Sequence, residues 1–388
     1  MKTRPSEASI EMIRRLVAFP TVSRDSNLDL IHWVRDWLAA QGVESRLVHD
    51  ETGAKANLFA TIGPKGKGGV MLSGHTDVVP IDGQDWQSDP FRITEKDGRL
   101  YGRGTSDMKS FVAIALAMTP EMLKRDLKTP IHFALSYDEE VGCIGIRRLL
   151  EILKDAPDRP VACIVGEPTE MKVVKAHKGK VSYRCEVRGL ECHSSLAHTG
   201  VNAVEAAAEI VALLKRLARG RRDGGPFDRD FDPPYTTIHT GLIRGGTALN
   251  IVPKDCHFDF EIRYLPGDDP ATIFAEVEAF AREVLEPEMH AVSRDTYIRF
   301  VPLSTIPGLD TREDEEVASL VKNLAGANNA GKVAFGTEAG LFQEAGVPTI
   351  VCGPGSIEQA HKPNEWIALD QVAACEAFMR RLLDRLAA

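Results

Sequence analysis

Over its first 180 residues the chain mixes two textures that few architectures accommodate together. Short apolar runs of strand length occur at 69–73, 131–137 (IHFALSY) and 161–165 (VACIV). Between them lie stretches whose apolar residues recur at helical spacing. Ile10, Ile13, Leu16 and Val17 share one side of a helix predicted over 8–18; 28–40 repeats the style, and further helices are expected at 108–118 and 143–154. A strand that is apolar throughout is one buried on both faces. Such strands alternating with helices predict an α/β fold, with a mostly parallel, mixed sheet flanked by helices.

Near residue 181 the texture changes. VSYRCEVRG alternates strictly, 201–219 reads as a long amphipathic helix, and strands follow at 236–243 and 256–264. A helix around 271–285 and a strand near 294–301 complete a βαββαβ order. Alternation implies one covered and one solvated sheet face, so an inserted α+β module of ferredoxin-like type is expected over 181–301. RGRRDGGPFDRDFDPP (219–234) reads as a surface loop from its turn-forming residues. From about 302 the first texture returns, with a helix at 313–325, a strand at 348–352 and a helix at 370–387. Segments 1–180 and 302–388 are therefore expected to form one domain, interrupted by the module.

The bulk properties narrow the function. The 388 residues suffice for two cores. A net charge of −9 speaks against a nucleic-acid partner, which favours a basic face. No run approaches the ~18 apolar residues of a membrane span. The opening MKTRPSEASIEMIRR lacks the apolar segment of a secretory signal. Seven cysteines, at 143, 163, 185, 192, 256, 352 and 375, show no paired spacing, as expected for reduced thiols in a cytoplasmic protein.

The chemistry gathers where apolar runs end. FALSYDEE (133–140) sets Asp138, Glu139 and Glu140 directly after a strand, a grouping of like charges that calls for a cation. SGHTDVVP (73–80) offers His75 and Asp77, GRGTSDMK (102–109) offers Asp107, IVGEPT (164–169) offers Glu167, and GPGSIEQAHKPNE offers His361. Each has a plainer explanation. A lone histidine more often serves structural hydrogen bonding, an aspartate in a Gly-rich turn serves the turn, and paired glutamates at a helix start suit its dipole. No HExxH motif is present. The coincidence of five such groups is harder to explain plainly, because ligands of an open α/β sheet bind outside the carboxyl ends of its strands.

HTDVVP, GRGTSDMK, DEE, GEPT and the late His361 together resemble the dinuclear-zinc aminoacylase/carboxypeptidase family. The resemblance covers nearly the whole chain, and the inserted module is similar to that family's dimerisation domain. It implies two divalent metal ions, zinc foremost, with cobalt and manganese chemically admissible. In this likeness His75 and Glu167 hold one ion, Glu140 and His361 the other, and Asp107 bridges both. Glu139 is then the general base, and Asp77 supports His75 from behind. Two divalent cations against three ligand carboxylates and one hydroxide would leave a near-neutral cluster, which a partly desolvated crevice tolerates where uncompensated carboxylates would not be tolerated.

The implied reaction is amide hydrolysis of an N-acyl amino acid by a homodimer, releasing a carboxylate, acetate as first choice, and a free amine. Glu338, in FGTEAG, would suit a cationic substrate tail such as an ornithine ammonium; a succinyl substrate would need a further cation. In the module, His193 of GLECHSSLAHTGVNA matches a family histidine that reaches the partner subunit's site. Arg263, which alternation places with Asp259 and Glu261 opposite Phe258, Phe260 and Ile262, is implied to clamp the substrate α-carboxylate together with Asn250. A non-catalytic scaffold of the same fold would be expected to lack the base or a ligand, and here every one is present.

Overall fold

The computed structural model describes residues 4–388. The chain forms two units: one takes in the chain up to Ala176 with Leu309–Lys332 and Thr337–Ala388, the other His177–Gly308 with Val333–Gly336.

The first unit is built on a mixed sheet. Its strands run in the order Ser45–His49, Ala56–Ile62, Ile131–Ser136, Val70–His75, Ala162–Pro168, Thr349–Gly353, Val174–His177 and Leu309–Asp310, with Gly331–Val333 beside Val174–His177. Val70–His75 pairs in parallel with both Ile131–Ser136 and Ala162–Pro168, and Thr349–Gly353 is parallel to Ala162–Pro168. These four central strands are buried along their whole lengths, in keeping with their mostly apolar composition. Antiparallel partners occur towards one edge, where Ala56–Ile62 joins Ile131–Ser136 to Ser45–His49.

Helices flank this sheet and share one hydrophobic core with it. Glu7–Val17 contributes Ile10, Ile13, Leu16 and Val17, Lys109–Ala117 contributes Phe111, Val112 and Ile114, and Leu369–Ala387 contributes Phe378, Met379 and Leu382. The first helix starts at Ser6, whose hydroxyl accepts from the Ser9 N–H; such a cap typically contributes ~1 kcal/mol. Because the central strands are parallel, their carboxyl ends lie side by side. The segments leaving them, after His75, Ser136, Pro168 and Gly353, therefore emerge at one end of the sheet.

The second unit has an antiparallel sheet in the order Thr237–Gly245, Asp255–Tyr264, Gly179–Arg188, Tyr297–Ile306. With helices Ala203–Gly224 and Pro270–Phe280 between the strands, this is the ferredoxin-like βαββαβ arrangement. Phe258, Phe260 and Ile262 point into its core with Ile210, Leu214, Ile273 and Val277. On alternate positions Asp259 pairs with Arg184 at 2.7 and 2.8 Å, and Arg263 with Glu261 at 2.8 Å.

Some boundaries differ from the sequence expectation. The helix expected to stop at 219 continues to Gly224, taking in RGRRD. Arg and Asp are tolerated in an exposed helix, and the turn waits for Gly225, whose φ of +77° ends it. The helix around 271–285 continues through a short wider turn, Ala281–Leu285, into Glu286–Val292. Short strands, such as Thr94–Lys96 and Arg99–Tyr101 in a small sheet with Trp366–Ala368, carry too few residues to show a period. Among the described residues no helix is long and apolar enough to cross a membrane.

Candidate metal centre

His75 is the last residue of its strand, and Glu167 lies on Ala162–Pro168. Asp107 ends the Gly-rich turn before Lys109–Ala117, while Glu139 and Glu140 form the turn after Ile131–Ser136. His361 sits in the segment between Thr349–Gly353 and Trp366–Ala368, with a left-handed φ of +63°. These residues make two trios that share Asp107: His75, Asp107 and Glu167, and Asp107, Glu140 and His361.

The two oxygens of Asp107 divide between the trios. Oδ1 lies 3.1 Å from His75 Nε2, and Oδ2 lies 3.2 Å from His361 Nε2. Glu167 Oε1 is 3.8 Å from His75 Nε2, and Glu140 Oε2 is 3.0 Å from His361 Nε2. His75 Nδ1 lies 2.9 Å from the main-chain oxygen of Asp77. A carbonyl only accepts, so Nδ1 carries the hydrogen and a neutral ring presents a bare Nε2 to the Asp107 carboxylate. Two lone pairs 3.1 Å apart repel unless a proton or a metal cation lies with them.

Asp77 was expected to support His75, and its nearest contact is that main-chain oxygen; its carboxylate Oδ1 stands at 3.6 Å from Nδ1. The carboxylate itself accepts from Ser23 Oγ at 2.7 Å and from the N–H groups of Glu139 and Glu140 at 3.1 and 3.3 Å. It thereby ties the His75 segment to the turn bearing both glutamates. That turn has Asp138 in a left-handed conformation, φ +55°, with its side chain paired to Lys55.

The electrostatics report a shortage of positive charge. Burial pushes the Glu139 carboxyl up to about 8, with Glu140, Glu338 and Asp107 adding repulsion and His75 opposing it. Burial and Asp107 push Glu140 up to about 7, and burial and Asp107 likewise drive Glu167 well above the usual carboxylate range. Hydrogen bonds to Asp107 and Glu140 raise His361 to about 10. For His75, burial opposes protonation, but the Asp107 hydrogen bond and the Glu167 charge outweigh it. Asp107 is held low despite its burial by its hydrogen bonds to His361 and His75. Glu140 Oε1 is buried without a hydrogen-bond partner. Imidazole and carboxylate donors in this arrangement fit two divalent cations, which would supply what the orphaned oxygen and the facing lone pairs lack.

Sequence reasoning did not single out several groups found here. The Cys143 thiol donates to Glu139 Oε1 at 3.3 Å. Ser23 binds Asp77. Lys109 is buried, with its ammonium donating to the Phe19 carbonyl at 2.7 Å, and burial lowers it to about 7. A cysteine four residues after Glu139 carries no motif, and Ser23 lies far off in sequence, so no sequence signal marked them.

Glu338 directly precedes the helix Ala339–Glu344 and is 1% exposed, with Oε1 lacking a hydrogen-bond partner; burial raises its carboxyl to about 7. His193, Asn250 and Arg263 belong to the second unit. There His193 and Asn250 adjoin: His193 bridges to Ile251, and Ser194 N–H donates to the Asn250 carbonyl at 3.0 Å. Ser195 engages His193 Nδ1, its N–H donating at 3.2 Å, which leaves Nε2 as the ring nitrogen open to a ligand.

A two-unit α/β chain with paired His/carboxylate trios at the strand exits has clear counterparts. The profile of Peptidase family M20/M25/M40 matches residues 71–385, and the chain belongs to this family. It is 37% identical over 378 residues to an acetylornithine deacetylase of Myxococcus xanthus, covering 95% of each chain. It is 34% identical to an acetylornithine deacetylase of Pasteurella multocida, covering 99% of this chain and 98% of that one. Among solved structures, an M20 family metallo-carboxypeptidase from Sulfolobus solfataricus superposes with a TM-score of 0.78 at 17% identity, over 98% and 99% of the two chains. A tripeptidase from Staphylococcus aureus superposes with 0.75 at 20% identity, over 99% and 100%.

Proposed function

We propose that the protein is a dinuclear metal-dependent amidohydrolase that removes the acetyl group of N-acetyl-L-ornithine, giving L-ornithine and acetate, a step of arginine biosynthesis. The observation that carries the reading is the division of the Asp107 carboxylate between two His/Glu pairs. The extended identity to relatives named acetylornithine deacetylase supports the choice of substrate. His75 and Glu167 would hold one ion, Glu140 and His361 the other, and Asp107 both. When bound, such ions acidify water and polarise an amide carbonyl.

The protein's own groups do the rest. Glu139, oriented by the Cys143 thiol, accepts a proton from the attacking water and returns it to the leaving amine. The Asp77 carboxylate holds the Glu139 N–H and so fixes where that base sits. His193 donates to the developing oxyanion, while Arg263 and Asn250 hold the substrate α-carboxylate. Glu338, expected to favour a cationic side chain, is buried with its carboxyl raised to about 7, so in this form it offers a substrate no direct contact. The working form in this reading is a cytoplasmic homodimer.

The alternatives are a succinyl-diaminopimelate desuccinylase or a broader N-acyl amino acid deacylase, and, from another class, a non-catalytic scaffold that binds metal without turnover. Comparing kcat/KM for N-acetyl-ornithine, N-succinyl-diaminopimelate and N-acetyl-methionine, beside metal content, separates them. N-acetyl-ornithine should lead. A lead for either other substrate would displace the assignment, and bound metal without any turnover would favour the scaffold.

A further inference from the structure

Between His361 and the small-sheet strand Trp366–Ala368, the chain passes through a single buried carboxylate, Glu365. Pairing of Trp366–Ala368 with Arg99–Tyr101 brings Glu365 alongside the Gly-rich turn, and the Gly102 N–H donates to the Glu365 carbonyl at 2.9 Å. The Glu365 carboxylate then takes up the turn itself. Oε1 accepts from the N–H of Ser106 at 2.7 Å and of Asp107 at 3.1 Å. Oε2 accepts from the N–H of Gly104 at 3.0 Å and from Arg103 Nη1 at 2.8 Å. Both side chains of this ion pair are 1% exposed.

The network does not stop at Asp107. Arg103 Nη1 also donates to the Lys362 carbonyl at 3.3 Å, and Nη2 donates to Gln84 Oε1. Gln84 Nε2 in turn donates to the carbonyl of His361 at 3.0 Å. One buried ion pair therefore grips the main chain at Asp107 and, through Gln84 and Lys362, the main chain at and beside His361. No bond in this network uses the side chains of the two candidate ligands, which stay free for a cation.

We infer that Glu365 and Arg103 are positioning residues that set the spacing of Asp107 and His361, and so preorganise the trio of Asp107, Glu140 and His361 for its metal. The inference rests on the metal reading proposed above. A buried ion pair is weak evidence for added stability, because desolvation offsets much of its attraction. Four donors converging on one carboxylate, three of them main-chain N–H groups of the ligand-bearing turn, are better explained by geometry held to order. Groups that hold metal ligands in place typically affect metal affinity by about 10- to 100-fold. The other trio shares only Asp107 with this network and keeps His75 and Glu167 on their own strands, so it should be affected less.

The test is a titration of metal-free protein with Co(II), read by calorimetry and by visible absorption, which reports ligand geometry. His361→Ala and His75→Ala first assign the two binding events. In Glu365→Gln, the event that His361→Ala abolishes should weaken by about 10- to 100-fold with an altered absorption spectrum. The event that depends on His75 should move much less. Unchanged affinity and spectrum for both events in folded Glu365→Gln would overturn the inference, as would an equal weakening of both that merely tracked a loss of melting temperature. If Glu365→Gln is not recovered folded, Gln84→Ala decides: it leaves the ion pair and cuts the link to His361, and an unaltered His361 event would overturn the inference there too. A wild-type protein that takes up no Co(II) would sink the metal reading itself, an outcome distinct from the other two.

Discussion

Glu139 and Glu140 are neighbours with different surroundings, and their substitutions should separate accordingly. Glu139 has the Cys143 thiol on Oε1, whereas Glu140 Oε2 lies 3.0 Å from His361 Nε2. Glu139→Gln should keep both metals and lose ~10²-fold or more in kcat, the usual scale of general-base catalysis. Glu140→Gln should lower metal stoichiometry; swapped phenotypes would reverse the two roles. The same turn predicts a pH effect in the metal-free protein. Glu139 titrates at about 8 when folded, against an ordinary value of 4.5. Between those values the folded form holds a proton that the unfolded form has lost, so this residue makes stability fall as pH rises. The glutamine of the Glu139→Gln variant has no such proton, and the opposing groups elsewhere, such as buried His132 and His177, are common to both proteins. The melting temperature of metal-free Glu139→Gln minus that of wild type should therefore widen between about pH 5 and 8, by at least ~2 °C. A constant or shrinking difference would contradict the burial of an ionisable Glu139.

At the scale of elements, the site depends on how closely the parallel strands approach. Gly166 immediately precedes Glu167, and a Cβ built there would lie 2.0 Å from the Phe111 ring. Gly353, on the adjacent strand, would place a Cβ 2.0 Å from the Gly166 carbonyl oxygen. Gly166→Ala should cost ~1–3 kcal/mol by overpacking, measured by denaturant unfolding, and should weaken the metal event that depends on His75 because Glu167 moves with its strand. An unperturbed unfolding midpoint would show that the ring simply swings aside. This level also marks what the sequence could reveal. Mostly apolar runs leading to His75, Glu139 and Glu167 made the parallel sheet and its polar exits readable, since burial on both faces favours apolar residues throughout a strand. Alternation exposed the ferredoxin-like unit through Phe258, Phe260 and Ile262. The Asp77 contacts to Glu139 and Glu140, and the grip of Glu365 on the Asp107 turn, were not readable. They are side-chain to main-chain bonds across 62, 63 and 258 positions, and nothing in a local pattern encodes such partners. The helix end at Gly224 was misplaced because RGRRD suits a solvated helix as well as a loop, and only the backbone at Gly225 decides.

At the scale of the whole molecule, the question is whether a histidine of the second unit serves catalysis. His193 is exposed, its Nδ1 is occupied by Ser195, and its neighbours Leu196, Leu249 and Ile251 are apolar yet 51%, 102% and 38% exposed. In the homodimer proposed above, a second chain would cover this corner, with Asn250 beside it. If His193 donates to the oxyanion in a partner's site, its loss should cost ~10²–10³-fold in rate while leaving metal content unchanged. It should then be possible to complement two inactive variants. In a mixed dimer of Glu139→Gln and His193→Ala, one site would combine an intact Glu139 from one chain with an intact His193 from the other. Mixing the two proteins under conditions of subunit exchange should restore partial turnover, approaching about half of the wild-type value per mixed dimer on the scale of a single intact site. Exchange verified by mass spectrometry without any recovered activity would mean that His193 works within its own chain or has no part in the reaction. Parallel substitution of Leu249 by Asp, which places an unpaired charge in the apolar corner, should abolish both the dimer and the complementation; a variant that still dimerised and still complemented would place the subunit contact elsewhere.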